Sequence, residues 1–240
     1  MNTKTLRQIE EMKKQTIGVE VEMNNITRNK AAKIAAEFFG TGRFENTADR
    51  NGYCTWSAYD EQGREWKFQK DVSIAGIDSE KCEMVTPILN YSDIETLQEL
   101  VRILRKAGAK SDSTRGCGVH IHIGAKGHTA KTLRNLANIM ASHEQLLIDA
   151  LNLDEVRVRR YCRTVDIRFL EQVNRRKPKT MSELADVWYK SHDENYGRSH
   201  HYNGSRYHML NLHATFTKGT VEFRLFQFDK PSNGKQNGLH

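Results

Sequence analysis

The sequence is poor in cysteine and proline, and it has no long apolar run. The four cysteines (Cys54, Cys82, Cys117 and Cys162) form no Cys-x-x-Cys pair and are too few for a disulfide scaffold. Only three prolines and sixteen glycines occur among 240 residues, which excludes a collagen-like or proline-rich chain. No apolar run approaches the roughly 20 residues that a membrane-spanning helix needs. The sequence therefore predicts a globular protein that is not embedded in a membrane.

The short signatures of several common enzyme classes are also absent. There is no GxxxxGK(S/T), no GxGxxG that opens a helix, no GxSxG and no HExxH, the motifs of P-loop, dinucleotide-binding, hydrolase and zincin sites. The first ten residues lack the apolar stretch of a secretory signal. Together with the sparse cysteines, this predicts a protein of the reducing cytoplasm.

The excess of basic residues is concentrated in one segment. The chain carries 37 Lys and Arg against 30 Asp and Glu, a net charge of +7. Residues 157–179 hold nine basic residues against Asp166 and Glu171, so 28 basic and 28 acidic residues remain elsewhere. Such a segment indicates a local anionic partner, and the alternative is an ordinary solvated helix face.

Hydrophobic periodicity predicts a mixed fold. Strands are predicted over 16–24, 82–86 and 117–124, as a hairpin of 53–59 with 64–70, and over 208–216 and 220–228. Helices are predicted from Thr27 to Phe39, from Ser92 to Ala107 with a capping box of Ser92 and Glu95, from Thr129 to Leu151, within the basic segment, and over 182–190. We expect one domain over residues 1–240, of class α+β with a mainly antiparallel sheet, and a weakly determined tail at 229–240.

Three predicted strands alternate apolar residues with chemically active ones. The strand 17–23 carries Glu20 and Glu22, the strand 119–123 carries His120 and His122, and the strand 221–225 carries Glu222 and Arg224. Side chains at i and i+2 of a strand stand on one face, about 6.6 to 7 Å apart. Each strand therefore presents two polar groups to one space while its other face packs on the core. Glu83 in the strand 82–86 and Asp71 at a strand end are placed to join them.

If these strands are neighbours, several carboxylates converge on one sheet face. Like charges so close cannot all stay ionised without compensation. Carboxylates combined with a histidine are typical ligands of Mg²⁺ or Mn²⁺, which also bind phosphates. The pattern alone leaves open the wet face of a half-exposed antiparallel sheet. It also leaves open a zinc site at His120 and His122, although no third ligand has a supporting spacing.

Five short motifs, taken in order, resemble those of the amidoligase family. They are Gly18-Val-Glu-Val-Glu22, Cys82-Glu-Met-Val-Thr-Pro87, Gly116-Cys-Gly-Val-His-Ile-His122, Arg206-Tyr207 with Asn211-Leu212, and Thr220-Val-Glu-Phe-Arg224. The resemblance spans about residues 16 to 226. These enzymes are carboxylate–amine ligases with the catalytic fold of glutamine synthetase and glutamate–cysteine ligase. The resemblance therefore implies a curved antiparallel sheet, with helices on its outer face and a funnel for ATP and two or three divalent ions on its concave face.

The resemblance also implies roles for individual residues, carried over motif by motif. The implied metal ligands are Glu20, Glu22, Glu83, His120, Glu222 and Asp71, with Glu83 nearest the substrate and His120 and Glu222 nearest the nucleotide phosphates. The implied catalytic residues are Glu83, Arg206 and Arg224, of which Arg224 would face the transferring phosphoryl group or the substrate carboxylate. The implied cofactor-binding residues are Arg206, His122, Arg198 and Asn211, with His122 positioning its neighbours or the substrate rather than a metal. Arg198, Arg206 and Asp71 have an ordinary alternative as loop or turn residues.

The implied reaction is the ATP-dependent formation of an amide or isopeptide bond from a carboxylate and an amine, with Mg²⁺ or Mn²⁺. The carboxylate would attack the γ-phosphate of ATP to give an acyl phosphate, and the amine would then displace phosphate. Metals and arginines suit this chemistry because phosphoryl transfer needs positioning and charge neutralisation. The basic segment 157–179 would receive an acidic substrate, such as a peptide or protein. Family members usually continue with a helical region after the last motif, which leaves open whether this chain, ending at His240, is shortened.

Two other functions stay open at this point. Guanidino kinases have a related catalytic sheet, but they rely mainly on arginines around the nucleotide, so the Glu-x-Glu strand and the histidine strand favour the ligase. A nucleic-acid-binding module that uses residues 157–179 ranks third. The sequence has no recognised nucleic-acid motif, and the remaining residues are neutral in sum.

Overall fold

The computed structural model describes residues 2–50, 52–200 and 202–227 of the chain, except for the side chain of Arg50. In these residues eight strands form one sheet: β1 (Ile17–Met23), β2 (Phe44–Asn46), β3 (Trp56–Tyr59), β4 (Glu65–Gln69), β5 (Cys82–Val85), β6 (Val119–Gly124), β7 (Leu210–Asn211) and β8 (Thr220–Phe226). The strand order is β2-β3-β4-β5-β1-β6-β8-β7, and every neighbouring pair is antiparallel. The predicted α+β class with an antiparallel sheet is confirmed.

Eight α-helices accompany the sheet in the described residues. They are α1 (Thr3–Lys13), α2 (Arg28–Phe38), α3 (Ile94–Lys106), α4 (Ala130–Ala150), α5 (Glu155–Arg160), α6 (Ile167–Arg176), α7 (Met181–Ser191) and α8 (His213–Thr217). Thr27, Thr129 and Thr180 cap α2, α4 and α7, each hydroxyl accepting a hydrogen bond from the third backbone N–H of its helix. Among the described residues, no helix combines the length and apolar character needed to cross a membrane.

The helices cover the apolar face of the sheet in two groups. Val19 and Val21 of β1 pack with α2 and α3 in one buried cluster, which also includes apolar residues of β3, β4 and β5. Val221 and Leu225 of β8 pack with α4, α6 and α7 in a second cluster. Because side chains alternate across a strand, the residues between these apolar positions stand on the opposite face. That face carries the candidate site.

Most predicted elements are confirmed. The structure contains the strand at 17–23, the hairpin of β3 with β4, the strands β5 and β6, and the helices α2, α4 and α7 close to their expected bounds. Neither helix α1 nor strand β2 was predicted from the sequence. Phe228 and the predicted tail 229–240 lie outside the described residues.

Two local predictions are wrong. The strand predicted over 208–216 is only the two residues of β7, and α8 follows it directly. Residues 208–215 are all buried. Alternation of apolar and polar residues identifies a strand only when one of its faces is exposed, so the pattern was misleading here. The capping box predicted at Ser92 and Glu95 is instead formed by Asn90 and Asp93, which cap a short 3-10 turn that leads into α3.

Candidate active site

Four adjacent strands, β5, β1, β6 and β8, bring the predicted polar side chains together. The antiparallel register sets Glu20 opposite His120, Glu22 opposite Glu83 and His122 opposite Glu222. Arg224 follows Glu222 by two residues and shares its face. We call the following group the acidic cup: Glu20, Glu22, Glu83, His120, His122, Glu222 and Arg224. All of its members are buried except Glu20, which is half-buried.

Glu20 is surrounded by basic groups. His120 Nδ1 lies 3.0 Å from one of its oxygens and His122 Nε2 lies 3.3 Å from the other, while Lys218 Nζ lies 3.5 Å away. Burial alone would raise the pKa of Glu20, but the two imidazoles and Lys218 lower it well below its ordinary value. Glu20 is therefore an ionised carboxylate at neutral pH.

Glu222 is held on both of its oxygens. Arg224 Nη1 donates a hydrogen bond to Oε1 at 2.6 Å, and Asn211 Nδ2 donates to Oε2 at 2.6 Å. Burial opposes ionisation, but Arg224 and the two imidazoles lower the pKa of Glu222 to about 2. Burial likewise disfavours the charged form of Arg224, and the neighbouring carboxylates, led by Glu222, raise its pKa. Glu222 and Arg224 therefore form a fixed ion pair on one face of β8.

Glu22 and Glu83 lack such compensation. Glu83 accepts one hydrogen bond, from Gln69 Nε2 at 2.7 Å. Glu22 Oε2 is buried and has no hydrogen-bond partner in the described part of the chain. Burial raises the pKa of Glu22, and burial together with the charges of Glu20, Glu22 and Asp71 raises the pKa of Glu83 well above its ordinary value. This half of the acidic cup has more negative charge than its protein neighbours can balance.

The excess of carboxylates fits divalent cations. Within the described residues, three sets of side chains have ligand atoms within 4.8 Å of one another: Glu20 with Glu83 and His120, Glu20 with His122 and Glu222, and Glu22 with Asp71 and Glu83. The sets overlap, so they form a connected row of oxygen-rich sites with an imidazole in two of them. Mg²⁺ and Mn²⁺ prefer such ligands, and a cation would satisfy the unpartnered Glu22 Oε2.

Five residues of the acidic cup form the floor of a cavity of about 480 Å³: Glu20, Glu22, Glu83, His120 and Arg224. Its walls add side chains of both charges and several aromatic rings: Tyr53, Lys67, Lys70, Asp71, Tyr161, Tyr202, Arg206, Tyr207 and Lys218. Cations at the rim above a carboxylate floor suit a ligand that carries phosphates or carboxylates and shares metal ions with the floor.

A buried arginine supports the cup from behind. Arg157 is 1% exposed, and its guanidinium donates to the carbonyl oxygens of Arg224, at 2.9 Å, and Cys117, at 3.3 Å. A Cβ on Gly118 would lie 1.9 Å from Arg157 Nη2. Glycine at 118 therefore makes room for the arginine, whose charge also lowers the pKa of Glu22 in part, against the larger effect of burial.

One protein family matches most of the chain. Residues 13–231 match the model of the family described as "putative amidoligase enzyme". The chain belongs to this amidoligase family. No curated protein and no solved structure matches it. The family description supports a ligase, while the resemblance of the fold to glutamine synthetase stays a prediction.

The amidoligase-family chain brings most of the predicted site residues to one cavity. Five of the cup residues line it together with Asp71 and Arg206. His122 and Glu222 of the cup are not among the lining residues, and Asn211 holds Glu222 from the next strand. His122 was predicted to position neighbours rather than to bind metal, yet it belongs to one of the three ligand sets. Arg198 lies elsewhere: its guanidinium pairs with Asp186 and stacks over the Tyr189 ring, and it does not line the cavity. We therefore leave Arg198 out of the proposed site.

Several residues of this amidoligase cavity were not predicted as site residues. Arg157 was counted only as part of the basic segment, and its single signal in the sequence is the glycine at position 118 that accommodates it. Gln69 contacts Glu83 and Lys218 contacts Glu20. Neither residue belongs to a sequence pattern that would have marked it as part of the site. Tyr161 and Tyr207 come from separate segments, α5 and the turn before β7, that only the folded chain brings together.

Proposed function

We propose that this chain is an ATP-dependent carboxylate–amine ligase that uses Mg²⁺ or Mn²⁺. The observation that carries the proposal is the acidic cup itself, in which four buried or half-buried carboxylates, two imidazoles and one arginine share one face of the sheet. Structural ion pairs do not need this arrangement, because protein groups compensate Glu22 and Glu83 only in part. Clusters of strongly perturbed carboxylates in a cleft are typical of active sites.

The three overlapping ligand sets are where the ions would be held. Glu20 and Glu83 each belong to two sets, so they would bridge neighbouring ions. When bound, such ions neutralise the negative charge of phosphate oxygens and align them for transfer. Asp71 is the third member of the set that contains Glu22 and Glu83, and it lines the cavity together with several tyrosines.

Arg224 would act on the anionic reactants. Its charge is secured by Glu222, and its guanidinium is held against the Tyr207 ring at 5.8 Å and near the Tyr161 carbonyl oxygen. A fixed cation stabilises developing negative charge most strongly where water is scarce, and removing one such group commonly lowers the rate by about 10²–10³-fold. Arg206 and Lys218, on the cavity wall, would add to the positive potential that attracts the substrates.

The proposed reaction needs no protein nucleophile. A substrate carboxylate attacks the terminal phosphorus of ATP and releases ADP. The amine then attacks the resulting acyl phosphate, releases phosphate and leaves the amide. Consistent with this, no cysteine of the described chain lines the cavity, and burial raises the pKa of both Cys82 and Cys117 to about 12. Such thiols are inert.

A screen for ADP release tests the proposal. Pools of carboxylates and amines are incubated with the protein, ATP and Mg²⁺ or Mn²⁺, and products are read by mass for a condensation that loses one water. We expect turnover that requires both pools, that disappears in Glu22→Gln and Glu222→Gln, and that persists in the control Glu61→Gln, an exposed residue of the β3–β4 turn.

Two outcomes would contradict the ligase. Metal-dependent ADP release that survives in both Glu22→Gln and Glu222→Gln would show that the acidic cup is not the active site. ADP release that needs no amine, with a phosphorylated product, would instead indicate a phosphotransferase of the guanidino-kinase type. Arg224→Lys keeps the charge but loses the planar fork, so we expect a loss of turnover rather than of nucleotide affinity.

A further inference from the structure

A second cavity, about 330 Å³ in volume, adjoins the acidic cup. It is enclosed by α5, the segment between α5 and α6, the first residues of α6, the end of α7 and the turn before β7. We call it the basic pocket and define it by the following side chains: Arg159, Arg160, Arg163, Arg168, His192 and His208. It concentrates the positive charge that the sequence shows in residues 157–179.

Three of the four arginines have no carboxylate partner in the described part of the chain. Arg163 donates only to the backbone carbonyl oxygens of Tyr207 and Gly204, each at 3.3 Å. Arg159 and Arg160 are exposed and form no ion pair among the described residues, whereas Arg168 pairs with aspartates. Guanidinium groups that converge without counter-charges are what binds carboxylate or phosphate oxygens.

The two acidic residues of the pocket, Asp166 and Glu194, do not balance its four arginines. Asp166 caps α6 by accepting from the backbone N–H of Arg168 at 2.7 Å, and it also accepts from the Arg168 side chain. The Glu194 carboxylate packs against Gly204, where a Cβ would approach its Oε1 to 2.0 Å. The pocket therefore keeps a net positive charge.

Two imidazoles line the same pocket with an unused nitrogen each. His208 is 4% exposed, and its Nδ1 donates to the Thr164 carbonyl oxygen at 2.7 Å. His192 Nδ1 donates to the Trp188 carbonyl oxygen at 2.6 Å. Nε2 of both rings is buried without a hydrogen-bond partner in the described residues. Because Nδ1 carries the hydrogen, each Nε2 is an acceptor that calls for an N–H or O–H donor.

The pocket and the cavity of the acidic cup share one lining residue. Tyr207 lines both cavities, between Arg206 of the cup wall and His208 of the pocket. Arg157 lines the cup while Arg159, two residues further along the same helix, lines the pocket. A ligand that occupies both must be extended, and it must offer anionic groups to arginines and N–H donors to imidazoles. A peptide with acidic side chains offers both.

We propose that the basic pocket binds an acidic side chain of a peptide whose reacting carboxylate lies in the acidic cup. This inference rests on the proposed function for the role of the cup, but binding in the pocket needs neither ATP nor metal. The chain outside residues 157–179 is neutral in sum, and four of the nine basic residues of that segment line the pocket: Arg159, Arg160, Arg163 and Arg168.

Fluorescence anisotropy with a labelled short oligoglutamate peptide, in EDTA and without ATP, tests the pocket directly. We expect binding to the full chain that weakens with salt, and that weakens at least tenfold in the double variant Arg159→Gln with Arg160→Gln. Arg7→Gln, a variant on the exposed face of α1, is the charge control for a single arginine and should bind as the wild type does. An oligoglutamine peptide of the same length should not bind.

Other results would overturn the proposal. Equal peptide affinity in the double variant and the wild type would exclude the pocket, and so would an oligothymidylate that binds more tightly than the peptide and loses binding in the same variant. Catalysis separates this inference from the proposed function. If ligase activity with an acidic peptide is found, the double variant should raise KM at least tenfold with kcat unchanged. If no ligase activity is found but pocket binding is, only the proposed function fails.

Discussion

Replacing Glu83 by glutamine should stabilise the metal-free protein and reduce the stability that it gains from a bound metal ion. Glu83 stands against the like charges of Glu20, Glu22 and Asp71, and burial together with these charges raises its pKa well above the ordinary value. The ligand atoms of each set lie within 4.8 Å of one another, and two ionised groups at that limit repel by about 3 to 4 kcal/mol at an effective dielectric constant of about 20. Glutamine removes this repulsion and can still accept the hydrogen bond from Gln69.

The magnitude follows from proton linkage. A carboxyl whose pKa is higher in the folded state contributes most stability below its unfolded pKa, here 4.5, and loses that contribution as the pH rises toward the folded value. At pH 7 the loss cannot exceed the free energy of 2.5 pH units, about 3 kcal/mol. Glu83→Gln does not titrate, so we expect it to be more stable than wild type by up to about 3 kcal/mol at pH 7 and nearly equal to it below pH 4.5.

Urea denaturation followed by circular dichroism measures this difference. The titration runs in EDTA from pH 4.5 to pH 8, and is then repeated at pH 7 with excess Mn²⁺. A ligand at 100 times its dissociation constant stabilises the folded state by about 2.7 kcal/mol, so wild type should gain about that much and Glu83→Gln less. Glu61→Gln, exposed in the β3–β4 turn, should follow wild type throughout.

The reasoning fails if Glu83→Gln and wild type have equal stability in EDTA at pH 7, because the carboxylates would then not be in conflict. It also fails if Mn²⁺ stabilises both proteins equally, because Glu83 would then not be a metal ligand. Either result would remove two of the three ligand sets.

Three further predictions concern stability away from the metal ligands, and urea denaturation checks each of them. Gly118→Ala should cost about 2–4 kcal/mol, because the new methyl would lie 1.9 Å from the buried guanidinium of Arg157; a loss below 1 kcal/mol would contradict the contact. Asp60→Asn should cost about 1–3 kcal/mol at pH 7, since Asp60 accepts a hydrogen bond from Trp66 Nε1. Burial opposes ionisation of this carboxyl, but hydrogen bonds from Trp66 and a neighbouring arginine lower its pKa, so the cost should shrink below pH 3.8; a pH-independent cost would refute the ionised acceptor. Burial, helped by a neighbouring histidine, lowers the pKa of His208 from 6.5 to about 4, so acidification across that interval should lower the stability of wild type by about 3 kcal/mol relative to His208→Gln, in which this group does not titrate.

The local elements of this fold could be predicted from the sequence because their signals are local. The alternation of apolar and polar residues in β1, β6 and β8 requires only that one face of each strand be buried. The caps Thr27 and Thr129 act within one helical turn. Where the signal was absent the prediction failed: residues 208–215 are buried on every side, so alternation could not distinguish a strand from α8.

Alternation along each strand also made the acidic residues of the site recognisable. It did not show that these residues lie close together in the folded chain. The pattern that puts Glu20 and Glu22 on one face of β1 is compatible with any neighbouring strands. The structure places β1 between β5 and β6, which sets Glu83 beside Glu22 and His120 beside Glu20.

The sequence alone was sufficient to predict which face of each strand is polar and where the basic segment lies, because each feature depends on residues only a few positions apart. In the folded chain Arg157 turns inward while Arg159 and Arg160 line a pocket, and the sequence did not predict this difference. Burial of a charged side chain depends on partners distant in the chain, here the backbone carbonyls of Cys117 and Arg224 and the space above Gly118. No local pattern contains that information, because the free energy that compensates a buried charge comes from contacts that exist only in the folded chain.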